Sequence, residues 1–170
     1  MTTFSRNDHV ARLIAKRRAV TPNVPLDGME ILARARRLTL LSRGPIESVF
    51  ARYGLEAGEF DVLATLRRSQ MPSMRPTELY TDLMISSGGL TDRLRRLEQA
   101  GWINRIDCEE DKRSKRVCLT SAGRELIDRA FAEDMTVEKA LVSTLNSDEQ
   151  QQLANLLARL LMALENDKHP

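Results

Sequence analysis

Apolar residues recur every three or four positions along most of this chain, which is the spacing of helices with one buried face. The pattern predicts helices over residues 10–19, 27–53, 57–68, 76–83, 90–100, 122–145 and 146–164. Gly44 and Pro45 interrupt the long second helix, but the apolar pattern resumes at Ile46, so we expect a kink rather than an end. Gly101 follows the fifth helix and is expected to stop it.

Between Trp102 and Thr120 the pattern changes to two short apolar runs on either side of a charged stretch, 108–116. Two such runs around a polar tip are typical of a β-hairpin. The helices over 76–83 and 90–100, followed by this hairpin, make a winged helix-turn-helix. We therefore expect a mainly α fold with a small β-hairpin wing.

The remaining helices predict how the chain assembles. The leucine stripe from Leu153 to Leu164 and the apolar face of residues 31–50 exceed what a compact winged helix covers by itself. We expect these faces to meet across a two-fold axis in a homodimer. The expected regions are an N-terminal arm over 1–26, a helical dimerisation region over 27–56 and 121–165, a winged helix-turn-helix DNA-binding domain over 57–120, and a tail over 166–170.

Composition narrows the classes of function. The chain has 170 residues and a formal net charge of +2, but residues 1–50 carry +5 and residues 121–170 carry −4, which suits one face to a polyanion. No apolar run is long enough for a membrane span, and no leader is visible. Two cysteines without a CxxC pair, with His9 and His169 near the ends, leave no metal-site spacing. We expect a cytoplasmic protein without metal, cofactor or membrane partner, and no nucleophile–base pair indicates an enzyme.

The outer face of the helix over 90–100, with the segment before it, carries hydroxyl and guanidinium groups that suit DNA. The candidate DNA-binding residues here are Ser86, Ser87, Thr91, Arg95 and Arg96. Hydroxyls bond phosphates or base edges, an arginine forks onto guanine in the major groove, and N–H groups at a helix N-terminus favour a phosphate. For any single residue, a solvated helix face is the alternative.

The hairpin tip adds positive charge. Lys112, Arg113 and Lys115 are expected to contact the DNA backbone or a narrow minor groove, with Asp111 orienting the Arg113 guanidinium. A soluble charged turn is the alternative for the tip alone. For the whole domain the alternative is a winged-helix adaptor that binds another protein, but a basic rather than apolar surface favours double-stranded DNA.

Several motifs resemble the MarR family of transcriptional regulators, over about residues 30–165. They are Leu55-x-x-Gly58-Glu59-Phe60-Asp61-Val62-Leu63, Arg75-Pro76-Thr77-Glu78-Leu79, Ser86-Ser87-Gly88-Gly89-Leu90-Thr91, Arg96-Leu97-Glu98-x-Ala100-Gly101 and Asp111-Lys112-Arg113-Ser114-x-x-x-x-Leu119-Thr120-x-x-Gly123. The resemblance implies a dimeric winged-helix repressor that a small-molecule effector releases from DNA. A dimer of this kind is expected to bind a pseudo-palindromic operator.

The N-terminal arm and the stretch before Asp61 resemble the branch of this family that responds to urate and related anions. The resemblance implies that Asp61, Arg93 and Arg105 bind the effector. Ile14 stands where that branch has a tryptophan, so we expect a small anionic or aromatic ligand other than urate, or a different anchor in the arm. The spacing also puts Arg93 beside the apolar stripe of its helix, facing Asp61, and a purely structural ion pair is the alternative.

The two cysteines, Cys108 and Cys118, flank the hairpin tip at offset positions. An intrachain disulfide needs Cα atoms within about 7 Å, which offset cross-strand positions rarely allow. We therefore expect both side chains to act as small hydrophobic residues rather than as a redox pair.

Overall fold

The computed structural model describes residues 7–83, 89–107 and 115–166 of the chain. Its elements are, in chain order, α1 (His9–Val20), α2 (Asp27–Arg52), α3 (Ala57–Arg68), α4 (Pro76–Asp82), α5 (Leu90–Gln99), β1 (Ile103–Asp107), β2 (Lys115–Leu119), α6 (Ser121–Leu141) and α7 (Ser147–Asn166). This order confirms the mainly α fold with a β-hairpin. The structure differs at α6, which ends at Leu141 rather than near residue 145, because a turn follows in which Ser143 Oγ donates to the Ala140 carbonyl at 2.8 Å.

The described part of residues 1–45 is one compact unit, formed by α1 and the first turns of α2. Asp8 Oδ1 caps α1 by accepting hydrogen bonds from the backbone N–H groups of Val10 at 2.7 Å and Ala11 at 3.0 Å. Asp8 Oδ2 accepts from Arg34 of α2 at 2.9 Å. These bonds, above all the one from Ala11, hold the pKa of Asp8 below its usual range because they favour the ionised carboxylate. One carboxylate therefore both starts α1 and fixes it on α2.

The described residues from 46 onward form the second unit, whose core is built around α3. This helix packs against α4, α5, α6 and β2, and its Val62 and Leu63 are fully buried. The Phe60 ring stacks on Phe50, with ring centroids 4.0 Å apart. The predicted leucine stripe of α5 is buried in the same core. α3, α4 and α5, which precede the wing, thus pack around one hydrophobic core.

The wing contains more than the predicted hairpin. β1 and β2 pair antiparallel, with Ile103 opposite Leu119, as expected. Met74, between α3 and α4 where no strand was predicted, also joins the sheet: its N–H donates to the Val117 carbonyl at 2.9 Å, and the Val117 N–H donates to the Met74 carbonyl at 2.8 Å. The segment before α4 is therefore anchored to the wing.

The cysteines lie in and beside this hairpin. Cys118 is a free thiol opposite Asn104, and its Sγ lies 3.7 Å from the Asn104 carbonyl oxygen. Cys108 lies outside the described residues. The expected role of the pair as small hydrophobic residues stays a prediction.

Two glycines shape the joint between α5, β1 and α6. Gly101 adopts a φ of +77°, the left-handed conformation predicted for a glycine that stops a helix. Gly123, in the first turn of α6, lies against the backbone of Trp102: an added Cβ would come within 2.0 Å of that carbonyl oxygen. The Thr120 hydroxyl caps α6 by accepting the Gly123 N–H at 2.9 Å.

α7 has no buried residue among those that the structure describes. Its leucines expose between 38% and 55% of their surface; they are Leu153, Leu156, Leu157, Leu160, Leu161 and Leu164. On α2, Leu38 and Leu41 are also exposed. The faces predicted to form a dimer interface are therefore uncovered in a single chain.

Candidate nucleic-acid interface

α5 presents a polar face on the side away from its buried leucines. The helix begins after Gly89, and no side chain in the described part of the chain caps its first turn. Thr91 and Arg95 are exposed on this helix, as expected. Ser86 and Ser87 lie outside the described residues. A helix N-terminus next to a hydroxyl and a guanidinium suits a DNA phosphate.

Arg95 is held only loosely. Its side chain is 56% exposed, and its Nη2 lies 3.5 Å from Oδ1 of Asp92, three residues earlier on the same helix. Exposed pairs of this kind contribute at most about 1 kcal/mol. Arg95 is therefore free to exchange Asp92 for a base edge or a phosphate at little cost.

Arg96 is placed differently from the expectation. Its side chain turns back onto α3, where Nε donates to Glu59 Oε1 at 2.6 Å and Nη2 donates to Glu56 Oε2 at 2.8 Å. The hydrogen bond to Glu59 is the main reason why the pKa of Arg96 lies above its usual value. Because its guanidinium is engaged by two carboxylates, Arg96 is not presented to DNA in the way that Arg95 is.

The basic side chains of the wing also differ in how far they are exposed to solvent. Lys115 forms an ion pair with Asp107 across the hairpin, and both side chains are largely exposed. Arg116 instead points into the domain, where Nε donates to Ser73 Oγ at 2.8 Å and Nη2 to the Ser73 carbonyl at 2.6 Å. Lys112 and Arg113 lie outside the described residues. Because its ion pair is exposed to solvent, Lys115 is thus more available to a polyanion than Arg116.

The three candidate effector residues lie on α3, α5 and β1. The Arg93 side chain crosses α3 at Gly58, where an added Cβ would come within 2.3 Å of its Nε. Asp61, three residues further along α3, is 9% exposed. Arg105 reaches α5, with its Nε 3.0 Å from Glu98 Oε2. The two arginines therefore link α5 to α3 and to β1.

A cavity of about 520 Å³ opens between α4 and the start of α5. Its lining comprises Pro76, Thr77, Tyr80, Gly89, Leu90, Thr91 and Asp92. Tyr80 is 57% exposed, and its hydroxyl and that of Thr77 extend the polar surface of Thr91. Neither Thr77 nor Tyr80 was predicted as a site residue; their spacing of three residues, which puts both on one side of α4, is the signal that could have found them.

Two observations concern other kinds of partner. Within the described ranges, no three His, Cys, Asp or Glu side chains come together in a way that could hold a metal ion. In those same ranges no helix has both the length and the apolar content needed to cross a membrane.

Comparison with known proteins identifies the family. The model of the MarR family matches residues 55–115, which run from the end of α2 to the wing. The HTH-type transcriptional regulator PecS of Dickeya dadantii is 36% identical over 166 residues, covering 97% of this chain and 100% of PecS. The chain belongs to the MarR family. It is therefore a winged-helix transcriptional regulator rather than an enzyme.

Solved MarR-family structures agree with this fold. A cysteine-to-serine mutant of Escherichia coli MarR complexed with operator DNA is 25% identical, with a TM-score of 0.69, covering 82% of this chain and 99% of that one. The Streptomyces coelicolor regulator Sco3205 in complex with DNA is 23% identical, with a TM-score of 0.72, covering 83% of this chain and 89% of that one. The winged helix-turn-helix expected from the sequence is thus confirmed as the fold.

Proposed function

We propose that this MarR-family protein is a homodimeric repressor that binds a pseudo-palindromic operator through α5 and the wing. The observation that carries the proposal is that an exposed, loosely paired arginine on α5 occurs together with an uncovered leucine face on α7. A two-fold dimer built on that face presents two copies of α5, and such dimers bind half-sites about one helical turn apart. Chromosomal DNA as the partner implies a cytoplasmic location.

The proposed DNA contacts fall into two groups. Thr91 and Arg95 of α5 and Lys115 of the wing are the contacts among the described residues, supported by their exposure. Ser86, Ser87, Lys112 and Arg113, outside the described residues, complete the set. Arg95 is assigned to a base edge because its guanidinium is exposed and only loosely paired. The wing cations are assigned to phosphates or the minor groove.

Selection of bound genomic fragments, followed by titration of the recovered operator, tests this function. Arg95→Ala is expected to change which base is preferred in each half-site. Arg113→Ala is expected to weaken binding to all sequences and to lower its salt dependence, because a charge near the backbone is lost. Arg129→Ala, on the exposed side of α6, is the control and should leave both properties unchanged. Unchanged affinity and salt dependence in Arg113→Ala would contradict the wing assignment.

We further propose that Asp61, Arg93 and Arg105 bind a small anionic or aromatic effector. The support is that Arg93 extends from α5 to α3 and that Arg105 is held to α5 by Glu98. An anion that enters here competes with the carboxylates of Asp61 and Glu98 for the two arginines. The anion thereby pulls on α5, which also carries Arg95. Because DNA fixes the separation of the half-sites, a small shift in each subunit misaligns both copies of α5. A coupling of about 1–3 kcal/mol between effector and DNA is typical of such systems.

Titration of the operator with and without candidate anions tests the effector site. Arg105→Ala is expected to keep operator binding but to lose the response to the ligand, because Arg105 lies on β1 and not on the DNA-facing helix. Asp61→Ala is expected to weaken both, because the position of Arg93 depends on α3. A fully responsive Arg105→Ala variant would remove this site from consideration.

A further inference from the structure

Glu59 is a buried carboxylate that serves two helices at once. It is only 6% exposed, although it lies in the first turn of α3. Its Oε2 accepts the backbone N–H of Glu56 at 2.9 Å, which closes the capping box that starts α3. Its Oε1 accepts Arg96 Nε of α5 at 2.6 Å. A single side chain thus fixes the start of one helix and the direction of an arginine on another.

The surroundings make this ion pair important for the orientation of α5. Beside it lies a cavity of about 410 Å³, lined by Leu55, Leu97 and Trp102 among others. Leu97 of the buried stripe and Arg96 both border this cavity, so the packing of α5 against the start of α3 leaves open space beside the ion pair. Arg96 joins the two helices there through a planar guanidinium that bonds two carboxylates, a geometry that restricts rotation.

We propose that Glu59 and Arg96 are positioning residues for DNA recognition: the pair sets the angle at which α5 presents Thr91 and Arg95, and Arg96 does not contact DNA. This rests on the proposed reading of DNA by α5. A helix of ten residues is about 15 Å long, so a rotation of about 10° about one end moves the other by about 2.5 Å. A shift of that size breaks a bidentate contact to a base edge, while contacts of long lysine and arginine side chains to phosphates persist.

The test separates charge from capping. Glu59→Gln keeps the size of the side chain and the capping box, since glutamine also serves at this position, but it removes the charge that holds Arg96. Arg96→Gln removes the other partner, and the double variant completes a cycle. For each protein, affinity is measured for the selected operator and for a scrambled duplex over a range of salt concentrations.

Both single variants are expected to lower the ratio of operator to scrambled affinity by about tenfold, roughly what one lost base contact costs, with an unchanged salt slope. The double variant is expected to be no worse than either single variant, because the two residues act as one unit. Asp128→Asn is the matched control. It breaks the pair between Asp128 and Arg67 of α3, where Nε and Oδ1 are 2.7 Å apart, without touching α5, and should keep the ratio.

Three results would overturn the proposal. A salt slope lowered by about one in Arg96→Gln would make Arg96 a phosphate contact. A wild-type ratio in Glu59→Gln would show that the pair does not set specificity. If Glu59→Gln fails to fold, Arg96→Lys takes its place, because lysine keeps the charge but lacks the planar guanidinium. Arg96→Lys is expected to lower the ratio of operator to scrambled affinity by the same amount. A wild-type ratio in Arg96→Lys would overturn the proposal. Failure of the wild-type protein to prefer any operator would instead contradict the proposed function itself.

Discussion

Asp134 of α6 is a carboxylate placed where water does not reach it. It is 3% exposed, and its Oδ1 finds no hydrogen-bond donor among the described residues. Burial raises the pKa of Asp134 to about 6, and the negative charge of Glu138 adds to the effect. Desolvation disfavours the charged form, so the folded chain holds this proton at a pH where an unfolded chain has lost it.

The stability of the protein should therefore fall as pH rises through this range. An unfolded aspartate titrates near pH 3.9, so between about pH 4 and pH 6 the folded state binds more protons, and the free energy of unfolding decreases by up to about 3 kcal/mol. Asp134→Asn is expected to be more stable than the wild type at pH 8 and equal to it near pH 4. Urea unfolding of both proteins at pH 4 and pH 8 measures the difference in their free energies of unfolding.

Glu125→Gln, on the exposed side of the same helix, is the control for Asp134→Asn and should change neither value. Loss of stability in Asp134→Asn at pH 8 would show that the carboxylate has a cationic partner in the assembled protein. The two outcomes differ in whether Asp134 Oδ1 has a hydrogen-bond donor in the assembled protein.

Among the elements, the joint between α6 and the wing depends on close approach of two backbones. The Trp102 carbonyl accepts the Thr120 N–H at 3.1 Å, next to the first turn of α6. Gly123 leaves room for this contact because it has no Cβ. The same joint sets where β1 begins after α5, so it links α5 to α6.

Gly123→Ala is expected to destabilise the protein even though alanine favours helices. The gain in helix propensity is about 1 kcal/mol, but a Cβ at 2.0 Å from a carbonyl oxygen forces the backbones apart, and overpacking of this kind costs about 1–3 kcal/mol or more. Gly28→Ala in α2 is the control, because nothing lies within 4 Å of its added Cβ. Denaturant midpoints should therefore fall for Gly123→Ala and rise or hold for Gly28→Ala; a rise in both would contradict the steric account.

At the scale of the whole molecule, the uncovered faces of α2 and α7 are the dominant feature. Burying a fully exposed leucine contributes roughly 1.5–3 kcal/mol, so each half-exposed leucine on α7 contributes about half of that, and six of them still favour association. In the proposed mode of binding, two copies of α5 reach the operator only in the dimer. Association and DNA recognition should consequently weaken together.

Leu157→Glu, in the middle of the α7 stripe, is expected to shift sedimentation toward the monomer and to weaken operator binding at the same protein concentration. A buried charge without a partner is strongly unfavourable in an apolar interface. Gln151→Glu, on the same helix but outside the stripe, should remain dimeric. A wild-type protein that sediments as a stable monomer at micromolar concentration would refute the proposed dimer.

The sequence alone determined the local features of this protein. The helices, the buried stripe of α5, the hairpin and the left-handed Gly101 were all predictable, because periodicity, capping and glycine stereochemistry act between residues close in the chain. The family was predictable for a related reason, since its motifs are short runs around those same turns and helix ends.

The tertiary structure decided which charged side chains remain available to a partner. Arg95 and Arg96 are adjacent and identical in type, yet Arg96 is taken by Glu59, 37 residues earlier in the chain. Arg116 is likewise bound by Ser73, 43 residues earlier in the chain, and Met74 pairs with β2 although no local pattern predicts a strand there. Such pairings depend on which helix packing brings two distant surfaces together, and no local pattern encodes that distance.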